Sequence, residues 1–324
     1  MNSETKVKEL KKIITDVLTP IINNDYVYLD LPYHNNIGDT LIWKGTETFL
    51  QTIPHKCLYK ASCENYITPK INESVIILLH GGGNFGDLYE IHNNFRLKII
   101  KEFPNNPIII LPQTIYYKDK SKLESHSQTL ANHKNLTICA RDHRSLNILR
   151  DNFEQNKHLL LPDMAFCIDL SFIEKYKLTE TKKYLYFKRS DKEFRDIEFS
   201  NYFKLSESHD AQDWPTYEVE LKEYRNFLRL LNLKNKVSNI EFMNKIICKI
   251  MDLYILNVFF PKILKLGIEF ISTYEHIYST RLHAAILSIL LDKKITFLDN
   301  SYGKNSNYYK SWLYNLDSIE MISN

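Results

Sequence analysis

Short apolar runs alternate with helix-length amphipathic segments along the first half of the chain. "YVYLDL" (26–31), "SVIILLH" (74–80), "PIIILP" (107–112), "LTICARD" (136–142) and "HLLLPD" (158–163) are rich in Ile, Leu or Val and bounded by turn residues, which predicts strands. Between them, "TLIWKGTETFL", "NNFRLKIIKEF", "SKLESHSQTLANH" and "HRSLNILRDNF" carry helical spacing. Strands apolar on both faces and separated by helices imply a parallel sheet covered on both sides. The pattern restarts at "KYLYFKR" (183–189) and passes through a long helical region holding "DWPTYEVELKEYRNFLRLL" and "MNKIICKIMDLYILNVFF". Its βα rhythm returns in "EHIYST", "RLHAAILSILL" and "KITFLD". Two α/β layers joined near residue 175 are predicted, with the cleft between them as the ligand site.

Composition narrows the class. A hydrophobic content of 44% with 25% charged residues is that of a globular chain and excludes a disordered one. The five cysteines (Cys57, Cys63, Cys139, Cys167, Cys248) form no C-x-x-C pair and no metal-ligand spacing, which fits a reducing compartment and thiols acting as small hydrophobes. "MNSETKVKELKKIITDVL" reads as an amphipathic helix without an apolar core, and no run of about 20 apolar residues occurs, so a cytoplasmic protein is expected. A net charge of +3 is too small to point to nucleic acid. Its distribution is uneven: Lys222 to Lys265 holds nine Lys and Arg against Glu223, Glu241 and Asp252. "IICKIMDLYILNVFFPKILK" in that stretch fits either a buried helix with a charged edge or a helix lying on the anionic inner face of a membrane.

The candidate chemistry clusters after strands. Six of the eight glycines fall within the first 86 residues, and the pattern Asn-x-Gly-Asp occurs twice, in "NNIGD" (35–39) and "GNFGD" (83–87). In each, Gly permits a tight bend and Asp is placed to cap the following helix. Both follow strands of one sheet, so Asp39 and Asp87, with Asn36, are also expected at its C-terminal edge, where a carboxylate can orient a sugar hydroxyl or accept its proton. "LLHGGGNFGDLYEI" contains G-x-G-x-x-G in Gly81, Gly83 and Gly86, yet it follows the third strand, and the next strand ends at Gln113 instead of an acid, which argues against a dinucleotide site. Gly82, Gly83 and Asn84 still suit close approach of backbone to an anion, or a tight turn that binds nothing.

Arg281 and His283 stand at a strand-to-helix junction, with Lys304 in the loop after the next strand beside Asp299, Asn300, Tyr302 and Gly303. Together they supply what a multiply charged anion and a proton transfer require. Lys188, Arg189 and Asp191 either turn toward the cleft or form a solvated turn, and Arg141 and Asp142 read as a brace and an N-cap. Trp214, ahead of Pro215, marks a helix start or an aromatic platform for a sugar ring.

Taken in order, "NNIGD", "LHGGGNFGDLY", "ARDHRSLNIL", "LPDMAF" and "RLHAAILSILL…FLDNSYGKN" resemble the polysaccharide pyruvyl transferase family, over roughly residues 26 to 315. The resemblance implies a GT-B-like fold: two Rossmann-like, doubly wound domains facing an interdomain cleft, 1–178 on the acceptor side and 179–324 on the donor side, the latter with its basic helical region near 214–265. It also implies transfer of the enolpyruvyl unit of phosphoenolpyruvate to a sugar of a capsule or exopolysaccharide precursor, forming a pyruvate ketal and releasing phosphate. No metal or cofactor is implied beyond phosphoenolpyruvate as co-substrate. By motif position, His283 would be the acid and Arg281 a ligand for phosphate or carboxylate, with Lys304 and Arg189 adding charge and Asp39 or Asp87 receiving the hydroxyl proton. The acceptor would be a glycan or a lipid-linked oligosaccharide. A glycosyltransferase using a nucleotide-sugar donor, and a non-catalytic protein of the polysaccharide machinery, are the competing expectations.

Overall fold

The apolar runs of the first half fold into one parallel sheet. The computed structural model describes residues 1–187, 189, 209–300 and 303–322, so Lys188, Asp191 and Tyr302 lie outside the described residues. Strands β1 (Tyr26–Leu29), β2 (Cys57–Ala61), β3 (Ile76–Leu79), β4 (Gly82–Gly86), β5 (Ile108–Tyr116), β6 (Leu136–Ala140) and β7 (Lys157–Leu160) pair in the order β2-β1-β3-β5-β6-β7, with β4 also on β5. Strands β8 (Lys182–Phe187), β9 (His209–Gln212), β10 (Tyr274–Ser279), β11 (Lys294–Leu298) and β12 (Ile319–Ile322) form a second sheet in the order β12-β11-β10-β8-β9. All recorded pairings in both sheets are parallel. In such sheets every strand ends at the same edge, so the loops that follow them converge.

The first layer of helices is α1 (Ser3–Leu18), α2 (Ile37–Leu50), α3 (Glu90–Glu102), α4 (Lys120–Ala131), α5 (His143–Asn152) and α6 (Leu170–Glu174). The second is α7 (Pro215–Glu218), α8 (Lys222–Lys236), α9 (Glu241–Tyr254), α10 (Phe260–Ser272), α11 (Leu282–Leu290) and α12 (Lys304–Tyr308). Their caps follow sequence chemistry: Asn2, Asn36, Asp119 and Asp142 each accept a backbone N–H of the first turn of α1, α2, α4 and α5.

One apolar cluster runs through both halves of the chain. Trp43 of α2 meets Phe260 of α10 with ring centroids 4.0 Å apart. Gly267 of α10 lets the two helices approach at Ile37, because a Cβ there would sit 2.5 Å from Ile37 Cγ2. The start of α1 also meets the second half, with Ser3 Oγ 3.1 Å from Ser318 Oγ.

The glycine-rich segment differs from expectation. "GNFGD" does not turn from strand into helix; it forms β4, a bent continuation of β3 that pairs Gly82 with Gln113 and Gly86 with Tyr116. Gly82 and Gly86 take φ of 139° and 132°, values that L side chains rarely adopt. A Cβ at Gly86 would lie 1.8 Å from Tyr116 O, so the pairing requires glycine.

Candidate active site

Each polar group of the site follows a strand directly. His34, Asn36 and Asp39 come after β1, Arg141 after β6, Asp163 after β7, Arg189 after β8, Asp213 and Tyr217 after β9, Arg281 and His283 after β10, and Lys304 after β11. A cavity of about 480 Å³ is lined by Asp39, Arg189, Arg281, His283 and Lys304 among others, with Arg141, Asp163 and Asp213 behind them in contact with these lining residues.

His283 is positioned from below and from the side. Its Nε2 lies 3.3 Å from Asp163 Oδ2 and 3.4 Å from Arg141 Nη1. That same Asp163 oxygen accepts a hydrogen bond from Arg141 Nη1 at 2.5 Å. Burial works to raise the Asp163 carboxyl, but His283 and Arg141 outweigh it and hold the group well below the usual carboxylate range. On the other side the ring rests on the backbone of α2, where a Cβ at Gly38 would come within 2.5 Å of His283 Nδ1.

Two cations converge on β4. A Cβ at Gly83 would sit 2.8 Å from Lys304 Nζ and 3.0 Å from Arg141 Nη2, so the missing side chain leaves both charges facing the same space. Arg141 is fully buried, and among the described residues its Nη2 has no hydrogen-bond partner. A buried guanidinium N–H in that state is a ready-made site for an anionic oxygen.

Arg281 is fixed by Asp213, which accepts from Nε and from Nη2, each at 2.5 Å. Its guanidinium also lies 5.1 Å from the ring centroid of Tyr217. Asp213 takes the Nε edge of the fork, so the Nη1 side of the guanidinium is the one that an anionic ligand could meet. The arginine offers the cavity charge from a rigid mount.

Asp39 stands at the cavity wall, in the first turn of α2. The N-cap is Asn36, whose Oδ1 accepts from Gly38 N at 2.9 Å and whose Nδ2 donates to Asp39 Oδ2 at 2.8 Å. His34 Nε2 is 3.6 Å from the same oxygen. Burial raises the Asp39 carboxyl, but His34, His283, His80 and His92 together lower it by more, so it is held ionised. Behind it, Asp30 binds Arg96 and His92, each at 2.8 Å, and Arg96 bonds both oxygens of Asn84. Asp30, Cys63 and His92 bring donor atoms together in a way that would suit a metal ion. The Arg96 guanidinium on Asp30 already neutralises that carboxylate and opposes a second cation.

Asn36, Asp39, Gly83, Asn84, Arg189, Trp214, Arg281, His283 and Lys304 thus all border one cavity. Asp87 does not. Its oxygens accept from the backbone N–H of Lys118 and Asp119 at 2.7–3.1 Å, because β4 carries it along β5 and away from the cavity. Asp87 is therefore removed from the catalytic and acceptor-binding candidates. Gly82 is buried beneath the wall, where a Cβ would be 3.7 Å from Asp39 Oδ1, so it supports Asp39 and does not meet the ligand space. Trp214 is 1% exposed and packs edge-on to Phe187, with ring centroids 4.7 Å apart. Its backbone starts α7 with Pro215 at the first position, so it is a packing residue and not an open sugar platform. Tyr217, 39% exposed, is the accessible ring there.

A family model, "Polysaccharide pyruvyl transferase", matches residues 36–302, a span that includes Asp39, Arg141, Asp163, Arg281 and His283. The chain belongs to the polysaccharide pyruvyl transferase family. Membership makes it a transferase. Among curated relatives of this family, the protein named "Putative pyruvyl transferase EpsO" of Bacillus subtilis is 34% identical, over 99% of this chain and 96% of that one. "Pyruvyl transferase 1" of Schizosaccharomyces pombe is 27% identical, over 91% of this chain and 71% of that one. A functionally uncharacterized protein of Klebsiella pneumoniae shares the fold, with a TM-score of 0.62 at 20% identity over 97% of this chain and 99% of that one.

In this member of the family, sequence reasoning missed Asp163 and Asp213 as partners of the Arg-x-His pair, and His34 and His92 as neighbours of Asp39. Asp163 was visible only as part of "LPDMAF", and Asp213 carried no motif.

Proposed function

We propose that this transferase moves the enolpyruvyl unit of phosphoenolpyruvate onto a sugar of a capsule or exopolysaccharide precursor, closing a pyruvate ketal and releasing phosphate. The observation that carries the reading is the convergence of Arg141, Arg281, Arg189 and Lys304 around His283. A donor bearing a phosphate and a carboxylate needs several fixed cations and a proton donor; Arg189, Arg281, Lys304 and His283 line the cavity, and Arg141 lies behind His283 and Gly83. We read the two sheets as the halves of a GT-B-like arrangement divided near residue 178, and the protein as working in the cytoplasm without a resident metal or cofactor.

The chemistry follows from the donor. His283 delivers a proton to the methylene carbon, leaving an oxocarbenium-like centre at the adjacent carbon, which still carries the phosphate. An acceptor hydroxyl attacks that carbon, and ionised Asp39 takes its proton. Phosphate then leaves, and attack by a second hydroxyl of the same sugar closes the ring. Of the two hydroxyl protons released, one balances the proton consumed at the methylene carbon and the other departs with phosphate. Arg141 and Lys304 neutralise the phosphate throughout.

Thermal shift distinguishes the donors, since a ligand that binds the folded state raises Tm by mass action. Phosphoenolpyruvate is expected to stabilise the protein and sugar nucleotides are not; a shift seen only with UDP or GDP sugars would sink the proposal in favour of a glycosyltransferase. Acceptor-dependent phosphate release that disappears in His283→Ala completes the test.

A further inference from the structure

The chain has a surface that this reaction does not use. Helix α9 buries Ile247, Cys248 and Met251 on its inner side, as a surface helix should. Its outer side is apolar as well: Phe242, Ile246, Ile250 and Leu253 follow one another at helical spacing and are 72%, 37%, 42% and 54% exposed. A helix that is apolar on both faces requires a second apolar medium for its outer face. Lys245 and Lys249, both exposed, flank the stripe one turn apart. Glu241 pairs with Lys245 and offsets its charge. Asp252 is turned inward, accepting from Tyr33 Oη at 2.7 Å and Asn65 Nδ2 at 2.6 Å, so Lys249 carries the net positive charge of this face.

We propose that the outer face of α9 docks on an anionic lipid surface, with the apolar stripe in the acyl boundary and the lysines at headgroup level. Charge decides between a membrane and a second copy of this chain. A two-fold contact through α9 would set the Lys249 charges of two copies against each other, whereas anionic headgroups match them. The placement also serves the site. The inner side of α9 holds Tyr33, and the same loop supplies His34, Asn35 and Asn36 to the cavity wall, while Asn35 donates to Thr216 O of α7 at 3.1 Å. One wall of the cavity is therefore built from the loop that packs on the inner side of α9, so a lipid-borne acceptor held at the outer face would be kept near the site. Docking stands on the surface alone; the lipid-borne acceptor rests on the function proposed above.

The test is co-sedimentation of the full chain with phosphatidylcholine vesicles with and without phosphatidylglycerol. Binding is expected only with the anionic lipid, weakening as salt is raised. Lys245→Gln with Lys249→Gln should lower vesicle affinity by about tenfold or more, and Phe242→Ser with Ile246→Ser should abolish binding without lowering Tm. Equal binding to both vesicle types, or none to either, overturns the proposal. So does a dimer in light scattering that becomes monomeric in Phe242→Ser/Ile246→Ser and ignores vesicles. Phosphate release from phosphoenolpyruvate with a soluble acceptor should be unchanged in all these variants. If that reaction is absent from the wild type while vesicles still bind, the functional reading fails and the docking surface does not.

Discussion

Asp163 and His283 meet across the two sheets, with Oδ2 of the carboxylate 3.3 Å from Nε2 of the imidazole. The carboxylate reaches the ring from the end of β7 and the ring reaches the carboxylate from the start of α11, so neither half holds the arrangement alone. Asp163→Asn preserves the shape of the pair but leaves the buried Arg141 guanidinium facing a neutral amide. Breaking a buried ion pair costs about 3–5 kcal/mol, and loss of an oriented proton donor costs about a hundredfold in turnover. Thermal melts and phosphate-release rates on one preparation check both outcomes; a variant with wild-type turnover would remove Asp163 from the mechanism.

Gly38 offers a separation of activity from stability. Replacing a helical glycine by alanine ordinarily adds about 1 kcal/mol, but here the new Cβ would lie 2.5 Å from His283 Nδ1. Gly38→Ala is expected to displace the ring, lowering turnover by about ten- to a hundredfold, with a much smaller change in Tm. An equal fall in both would mean that the helix yields and not the ring.

Lys304 and Arg141 both reach the space left open by Gly83. Gly83→Ala would push a methyl group between them. Lys304 has a flexible stem and can retreat, so the fold should tolerate the change. The retreat withdraws one charged hydrogen bond from the donor, worth about 1.5–3 kcal/mol. The expected result is a rise in KM for phosphoenolpyruvate of about ten- to a hundredfold, with kcat much less affected. Initial-rate kinetics at saturating acceptor measure the split.

What the sequence disclosed depended on how many faces an element buries. Strands β1, β3 and the first half of β5 are buried at every position and read as apolar runs, and β6 nearly so. Strands β2, β9 and β12 lie at sheet edges, where fewer positions need be apolar, and "CLYKA", "HDAQ" and "IEMI" did not stand out. Strand β4 was hidden by its glycines. For the site, residues that end central strands, such as Arg281 and His283, were legible because parallel strands deliver their C-terminal ends to one edge. Their partners were not. Asp213 and Arg281 stand 68 residues apart and meet through the strand order of the second sheet, where β9 and β10 flank β8, while Asp163 and His283 stand 120 apart and meet only through the relation between the two sheets.

Asp87 tests that lesson directly. It shares the Asn-x-Gly-Asp pattern with Asp39 but spends its oxygens on the amides of Lys118 and Asp119. Asp87→Ala should cost about 0.5–2 kcal/mol, as loss of an amide-capping carboxylate does, and leave turnover within about twofold. Asp39→Ala is expected to lower turnover by about a hundredfold or more. Equivalent losses in the two variants would restore Asp87 to the site.

His92 and Asp30 give the fold a pH signature. For His92, burial pulls the pKa down and Asp30 pulls it up by more, so the net shift is upward from 6.5. Such a group binds its proton more tightly when folded. Its contribution is fully present below the ordinary value and is lost as pH rises through the raised one. Asp30 has the opposite sign: burial raises its pKa, but Arg96 and His92 lower it by more, so its contribution is present above the ordinary carboxylate value and is lost as pH falls through the lowered one. His92→Gln is therefore expected to flatten the decline of Tm on the alkaline side, over about pH 6 to 8. The acid-side decline should persist, because Arg96 still holds Asp30. Melting curves of wild type and variant across that range decide it; parallel profiles would show that His92 does not change charge there.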